Sequence, residues 1–456
     1  MKLIYNVNDK PKFGQLIVFA IQQLLAIMAA TLVVPVITGN GMSSAAALFG
    51  AGVGTLVYVL FTKAKSPVFL GSSFAFLGSM AAAFAGAVTV QLGYLGLILG
   101  AVFAGLVYVI IAIIVKFAGV NWINKLMPAV VIGPTVAIIG LSLAGNAIGD
   151  LQKSGIADAN GNPTTNIYLC IAIGLVTLAV TMISATFGKK MARLIPFILG
   201  ILAGYAVALI FTIIGIKTNN QSLVVINFAH FTSLVADGVK VGTFFAIPDF
   251  TFLTAATGLG QLNGAYVGTI AVAYVPVAFV VFAEHIADHK NISTIIETDL
   301  LEEPGLHRTL LGDGIGSMVG AFFGGCPNTT YGESVGCVAI TRNASVRTII
   351  TAAIGAMIIS CINPFVAFVN SIPSCVMGGV CMALYGFIAV SGLKMIQKVD
   401  LEENANLFTA SVILIAGIGG LTLNFGKVTI TSIACALILG ILTNIMLSGK
   451  KKKEEE

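Results

Sequence analysis

Fourteen times along this chain a mostly apolar run of about twenty residues begins after a short polar or Gly/Pro-containing break, near residues 14, 44, 68, 94, 126, 166, 195, 263, 308, 328, 346, 372, 405 and 428. About twenty helical residues cover the hydrocarbon core of a bilayer, and within it every backbone N–H and C=O must find a partner inside the protein. A chain of this kind folds as a bundle of spanning helices. Its 57% hydrophobic and 9% charged residues exclude an ordinary soluble domain, in which roughly 25% are charged.

The 51 glycines suit helices packed backbone to backbone. The seven cysteines are scattered singly, without zinc-type spacing, and read as packing residues. The first dozen residues lead directly into an apolar span with no small-residue cleavage site, so that span is expected to stay. With the N-terminus in the cytoplasm, Lys153, Lys217, Lys240 and Lys427 alone fall outside, and 20 of the 24 Lys and Arg lie inside. That asymmetry obeys the positive-inside rule and places both chain ends in the cytoplasm. The net charge of +5 thus follows from topology and implies no nucleic-acid partner. The closing KKKEEE run, 450–456 with its preceding lysine, reads as a solvated tail.

Two echoes divide the chain. PAVVIG at 128–133 returns as PSCVMG at 373–378, and Ser72, Ser73, Phe74 return as Thr329, Thr330, Tyr331. Both point to a duplicated unit of about seven spans. An odd count inverts the second copy in the membrane. The expected organisation is a first repeat at 1–215, an extracellular connection at 216–262 and a second repeat at 263–449. LGSSFAFLGS and GGCPNTTYGES are too rich in Gly, Ser and Thr for plain spanning helices. Interrupted backbone at that depth is tolerated where it lines a cavity or is buried in protein, and it marks transporter binding sites.

Four carboxylates, Glu284, Asp288, Asp313 and Glu333, lie inside otherwise spanning sequence. Each costs at least about 2.5–3.5 kcal/mol to insert, so each is expected at a cavity or an ion path. Glu284 and Asp288 are four apart and share a helix face. Close together in a poorly solvated hollow, they favour taking up a shared proton. His285 and His289 complete a cluster that lacks the HExxH order of a zinc site, and no metal or other cofactor is expected. His285 reads as a packing histidine, His289 as lying at the cytoplasmic edge beside Lys290, and Asp313 as bonding to backbone N–H groups of the neighbouring interrupted segment.

The stretches AEHIADH at 283–289 and PNTTYGESVGCVAITR at 327–342, with SSFAF at 72–76, QQLLAIMAATLVVPV at 22–36, DLLEEPGLHR at 299–308 and LYGFIAVSG at 384–392, closely resemble the nucleobase–ascorbate transporter family, in its bacterial uracil permease branch. The resemblance implies an all-α polytopic membrane protein of 14 segments in two inverted sevens, with short strands in segments 3 and 10. It implies a core domain of segments 1–4 and 8–11, a gate domain of segments 5–7 and 12–14, and homodimers in a bacterial cytoplasmic membrane. It also implies uptake of a nucleobase with H+, Na+ being the alternative coupling ion, and no enzymatic activity. Carried over by position, Glu284 and Glu333 bind the base, the backbones of Phe74 and Gly332 complete the hydrogen-bonding edge, and Tyr331 and Asp288 lie beside it. Glu284, Asp288 and Glu333 are the proton-coupling candidates, with Gln23, Ser73, Asp313, Ser334 and Tyr385 around them.

The match has departures. The uracil branch usually carries His where Asp288 stands, and Asp313 also looks like the purine branch. Glu333 is the uracil-type residue, where xanthine and urate carriers generally have Gln. Ser334 replaces a common Asn, and Gln22 and Gln23 stand for a Gln-His pair. Because Glu333 is expected to touch the base, uracil is the first reading and xanthine or another purine the second. An anion carrier of the same architecture is the reading outside nucleobases, and the acidic cavity candidates oppose it.

Overall fold

The computed structural model describes residues 3–454 apart from 120–121, 123–126, 158–162, 190, 237 and 426–427. Lys2, Lys125, Lys190 and Lys427 of the charge pattern lie outside the described residues, as do the last two glutamates of the tail. The first half contains α1 (Phe13–Thr38), α2 (Ser44–Phe61), strand β1 (Leu70–Ser72), α3 (Leu77–Ala85), α4 (Val90–Ala118), α5 (Ala129–Ser142) continued by α6 (Ala144–Leu151), α7 (Ile167–Phe187) and α8 (Pro196–Lys217). The second half contains α9 (Gly264–Ile296), α10 (Leu306–Gly324), strand β2 (Asn328–Thr330), α11 (Gly332–Thr341), α12 (Val346–Ile359), α13 (Asn363–Ser371), α14 (Ser374–Ile396), α15 (Asn404–Ile418) and α16 (Ser432–Glu454).

Helix starts follow the sequence punctuation. Ser43, Thr89, Asn166 and Asn263 each accept a backbone N–H in the first turn of α2, α4, α7 and α9, which satisfies donors that a helix leaves open at its N-terminus. Pro128 and Pro373 stand immediately before α5 and α14. The recurring PxxVxG therefore opens equivalent helices of the two halves. Eight helices are long and apolar enough to cross a membrane, and four shorter apolar ones join them among the described residues.

The interrupted segments meet. β1 and β2 pair antiparallel, with Leu70 opposite Thr330, Gly71 opposite Thr329 and Ser72 opposite Asn328. A two-stranded ladder leaves outward backbone groups unpaired, and side chains of the flanking helices take them up. Thr55 of α2 accepts from the Leu70 N–H at 2.9 Å, and Ser317 of α10 accepts from the Asn328 N–H at 3.0 Å. The same device thus appears once in each half. The strands expected in segments 3 and 10 are present. A second ladder, β3 (Leu423–Phe425) with β4 (Val428–Ile430), was not expected and joins α15 to α16.

Helix contacts sort into two groups. In one, α2 and α10 lie against each other and against α1, α4 and α12, with α9 and α11 alongside. In the other, α14 packs on α5, α6 and α7, while α7 packs on α8, and α15 and α16 pack on each other and on α5. Glycines set both central contacts. A Cβ on Gly54 would stand 2.6 Å from the Gly316 carbonyl oxygen, and one on Gly50 2.3 Å from that of Gly320. Across α5 and α14, a Cβ on Gly392 would meet the Gly133 oxygen at 2.5 Å. Small residues let spanning backbones approach where lipid offers no hydrophobic drive to associate.

Gly54→Ala must push the α2 and α10 backbones apart. Overpacking of a close contact costs about 1–3 kcal/mol, so thermal unfolding of the purified variant should fall clearly below wild type. Gly268→Ala on α9, where an added Cβ meets nothing within 4 Å, should unfold like wild type. Equal melting of all three proteins would refute the account of this contact.

Candidate functional site

A cavity of about 340 Å3 lies between the two groups of helices and is lined by Glu284, Asp288, Gly332 and Glu333, with Ala26, Val136, Phe197, Asn291, Phe387 and Ser391 among the remaining wall residues. α9 supplies the first two carboxylates from one face, as their spacing of four requires. Glu333 stands in the first turn of α11, directly after β2. The leading N–H groups of that helix lack intrahelical partners, and its dipole favours negative charge there. Backbone donors and side-chain carboxylates therefore face one hollow, a pairing suited to a flat ligand whose edge alternates donors and acceptors.

The strands hold these groups in place. Asp288 Oδ2 accepts from the Thr330 hydroxyl of β2 at 2.8 Å. Tyr331 donates its hydroxyl to the Ser72 carbonyl across the ladder at 2.6 Å, and its ring fills the space over Gly71, where a Cβ would lie 2.3 Å from it. The Ser73 N–H donates to the Pro327 carbonyl at 2.9 Å. Ser334 accepts from the Phe69 N–H at 2.9 Å and also from the Gln23 side chain, which ties α1 to both interrupted segments.

Of the residues singled out from sequence, Glu284, Asp288, Gly332 and Glu333 share the cavity wall. Tyr331, Ser73, Ser334 and Gln23 support it from the strands and α1. Phe74 opens the turn after β1, buried, with its ring edge-on to Tyr385 at 5.8 Å. Tyr385 itself lines a separate crevice between α5 and α14.

One expectation needs correction. His289 is fully buried and does not lie at an aqueous edge. Its Nδ1 donates to the His285 carbonyl at 2.8 Å, and its Nε2 meets the Tyr58 hydroxyl at 2.6 Å, which in turn meets Ser66 at 2.7 Å. The reason is the pitch of α9: positions 285 and 289, four apart, share a face turned to Tyr58 of α2 and Asp313 of α10, about 60–100° around the helix from the nearer carboxylate. Asp313 meets the Thr330 backbone of the interrupted segment, as expected, and has a side-chain partner besides, His285, with Nδ1 to Oδ2 at 2.7 Å. His285 is therefore bound across helices and stacks on His289, with ring centres 4.0 Å apart. Sequence reading did not single out Arg193, exposed at the cavity wall, or Asn291 one turn from Asp288. The spacing of 284, 288 and 291 along α9 could have indicated the latter.

Residues 14–425 match the family profile described as "Permease family". The chain is 36% identical over 457 residues to the uracil permease of Bacillus caldolyticus, covering 100% of this chain and 97% of that one. It is 35% identical to the uracil permease of Escherichia coli (strain K12), covering 96% and 92%. Among solved structures, the transmembrane domain of a cyanobacterium bicarbonate transporter, BicA, superposes with a TM-score of 0.61 at 14% identity, covering 96% of this chain and 100% of that one. The murine Solute Carrier 26 family member A9 anion transporter, in its inward-facing state, gives 0.64 at 9% identity, covering 97% and 69%. These two likenesses concern the fold, a seven-plus-seven inverted repeat. On the matched profile and on relatives aligned over nearly their whole length, the chain belongs to the permease family of nucleobase–ascorbate transporters.

Proposed function

We propose that the chain carries a nucleobase, uracil first, across a bacterial cytoplasmic membrane together with a proton. The observation that carries the reading is the single cavity onto which Glu284, Asp288, Gly332 and Glu333 converge. A neutral pyrimidine offers N–H donors to the carboxylates and carbonyl oxygens to the first N–H groups of α11. A site built from hydrogen-bonding groups rejects analogues that leave those groups unpaired. Three carboxylates around one hollow repel one another, and a cation that travels with the base relieves that repulsion.

The two groups of helices correspond, in this reading, to a core that holds the base and a gate that moves against it. A second hollow of about 210 Å3 on the same seam supports it. Ala29 of α1 and Ile201 of α8 line the second hollow, about one helical turn from Ala26 and Phe197 of the first. A thin septum of helix surface thus separates two hollows along one path. Asp288 keeps a purine as the second reading, since uracil relatives in this family usually carry His there.

Binding of radiolabelled uracil to the purified protein, with xanthine as competitor, tests the site. Hydrogen bonds to charged groups contribute about 1.5–3 kcal/mol, so Glu284→Gln should weaken uracil binding by about tenfold to a hundredfold. Glu333→Gln should shift the competition toward xanthine. Preference for xanthine already in wild type would replace uracil with the purine reading.

Uptake into proteoliposomes tests the coupling. Accumulation should follow an inward proton gradient, collapse with a protonophore and ignore Na+. Accumulation that tracks Na+ and survives the protonophore would assign the other ion.

A further inference from the structure

At the end of the bundle that the lysine and arginine pattern assigns to the cytoplasm, a groove of about 460 Å3 lies where α1, α2 and α12 pack together. Leu16 of α1, Ala64 just past α2, and Ile350 and Thr351 of α12 line it, with Asn8 and Arg347 as its amide and charged walls. It shares no wall residue with the cavity of the proposed base site.

The groove has a built floor. The chain ahead of α1 runs beside the start of α12: the Ile4 N–H donates to the Arg342 carbonyl at 2.8 Å, the Ala344 N–H to that of Tyr5 at 2.9 Å and the Val346 N–H to that of Val7 at 3.1 Å. The Ser345 hydroxyl donates to the Asp9 carbonyl at 2.7 Å. Asn8 is thereby held beside the first turn of α12, where Arg347 stands. Farther along the helices the surface is apolar. Ile354 and Ile358 continue the line of Ile350 on α12 and are 45% and 59% exposed, and Ile17 and Ile21 of α1 are exposed as well. Such a surface on spanning helices meets acyl chains.

The cations of the rim are uncompensated. Lys12 stands one turn before Leu16, Lys63 immediately before Ala64, and both are exposed, as is Arg347. Among the described residues none of the three has an ion-pair partner, whereas Lys65 pairs with Glu303. Asp9, the carboxylate next to Asn8, accepts from the Asn6 N–H at 2.7 Å. A guanidinium fork matches a phosphate bidentately, and basic pockets between spanning helices at the cytoplasmic face take anionic head groups.

We propose that this groove binds one anionic phospholipid, with its phosphate on Arg347 and the Asn8 amide and an acyl chain along Ile350, Ile354 and Ile358. The occupant is a membrane lipid, not a soluble phosphate, because the surface that continues from the cations is apolar. Lys12 and Lys63 add attraction for the negative head group. Bound there, the lipid ties the N-terminal segment to α1, α2 and α12 without touching the cavity.

Full-length protein, stripped of lipid in an uncharged detergent and titrated with lipid in mixed micelles, decides it by native mass spectrometry. Wild type should retain one phosphatidylglycerol per chain at concentrations where phosphatidylcholine is lost, and should unfold at a higher temperature with it, as a ligand of the folded state requires. Arg347→Gln should weaken phosphatidylglycerol binding about tenfold, the size of one hydrogen bond to a charged group. Ile350→Trp, which fills the groove and keeps the cations, should weaken it as well. Lys217→Gln, at an exposed cation outside the groove, should bind like wild type, and all three variants should melt like lipid-free wild type. Equal retention of phosphatidylcholine, or wild-type phosphatidylglycerol affinity in either groove variant, would overturn the inference. Displacement of the lipid by glycerol phosphate alone would overturn it in favour of a soluble anion.

Discussion

Pairing of two three-residue strands at membrane depth is the constraint on which the rest of this structure depends. Each strand interrupts a span and exposes backbone groups that lipid cannot satisfy. Leu70–Ser72 and Asn328–Thr330 satisfy part of that demand with each other, and Thr55 and Ser317 take up a further N–H on each side. The two halves of the chain are therefore locked at their centres. Because the strands come from opposite repeats, the helices that follow them begin close to the same depth, and α11 presents its first N–H groups and Glu333 to the cavity between the two helix groups.

α9 separates two kinds of polar chemistry. Its carboxylate face, with Glu284 and Asp288, looks into the cavity. Its histidine face is bound into the protein through Asp313, Thr309 and Tyr58. β2 touches both: the Thr330 hydroxyl bonds Asp288, and the Thr330 backbone meets Asp313, the partner of His285. A shift of the strand pair therefore bears on both faces. The close glycine contacts between α2 and α10 make such a shift a movement of packed backbones, not of loose side chains.

How much was legible in the sequence differs by kind of residue. The fourteen segments could be read because an apolar run of fixed length has one meaning in a bilayer, and the interrupted segments could be read because Gly, Ser and Thr there oppose a simple span. Glu284, Asp288 and Glu333 could be found because charge at that depth is expensive. His289 was misplaced because Lys290 beside it suggested an aqueous edge, and one step along a helix changes the face by about 100°. The partnership of Asp313 with His285 joins residues on different helices, 28 positions apart, and no local pattern announces it. The β3–β4 ladder was missed because its three-residue strands sit within sequence that resembles the start of the last span.

The likeness to transporters described as carrying bicarbonate or anions shows how little a fold decides about its cargo. Helix N-termini at mid-depth are by themselves attractive to anions. In this chain the first turn of α11 already carries a carboxylate, Glu333, with Glu284 and Asp288 facing the same hollow. The positive helix end is thus met from within the protein, the Glu333 carboxylate bonding its own backbone N–H. An anion entering this hollow would meet three acidic side chains, whereas a neutral ring with N–H groups on its edge meets acceptors for each of them. In the proposed reading the scaffold supplies the depth, and three carboxylates make an anion-attracting geometry suit a neutral heterocycle.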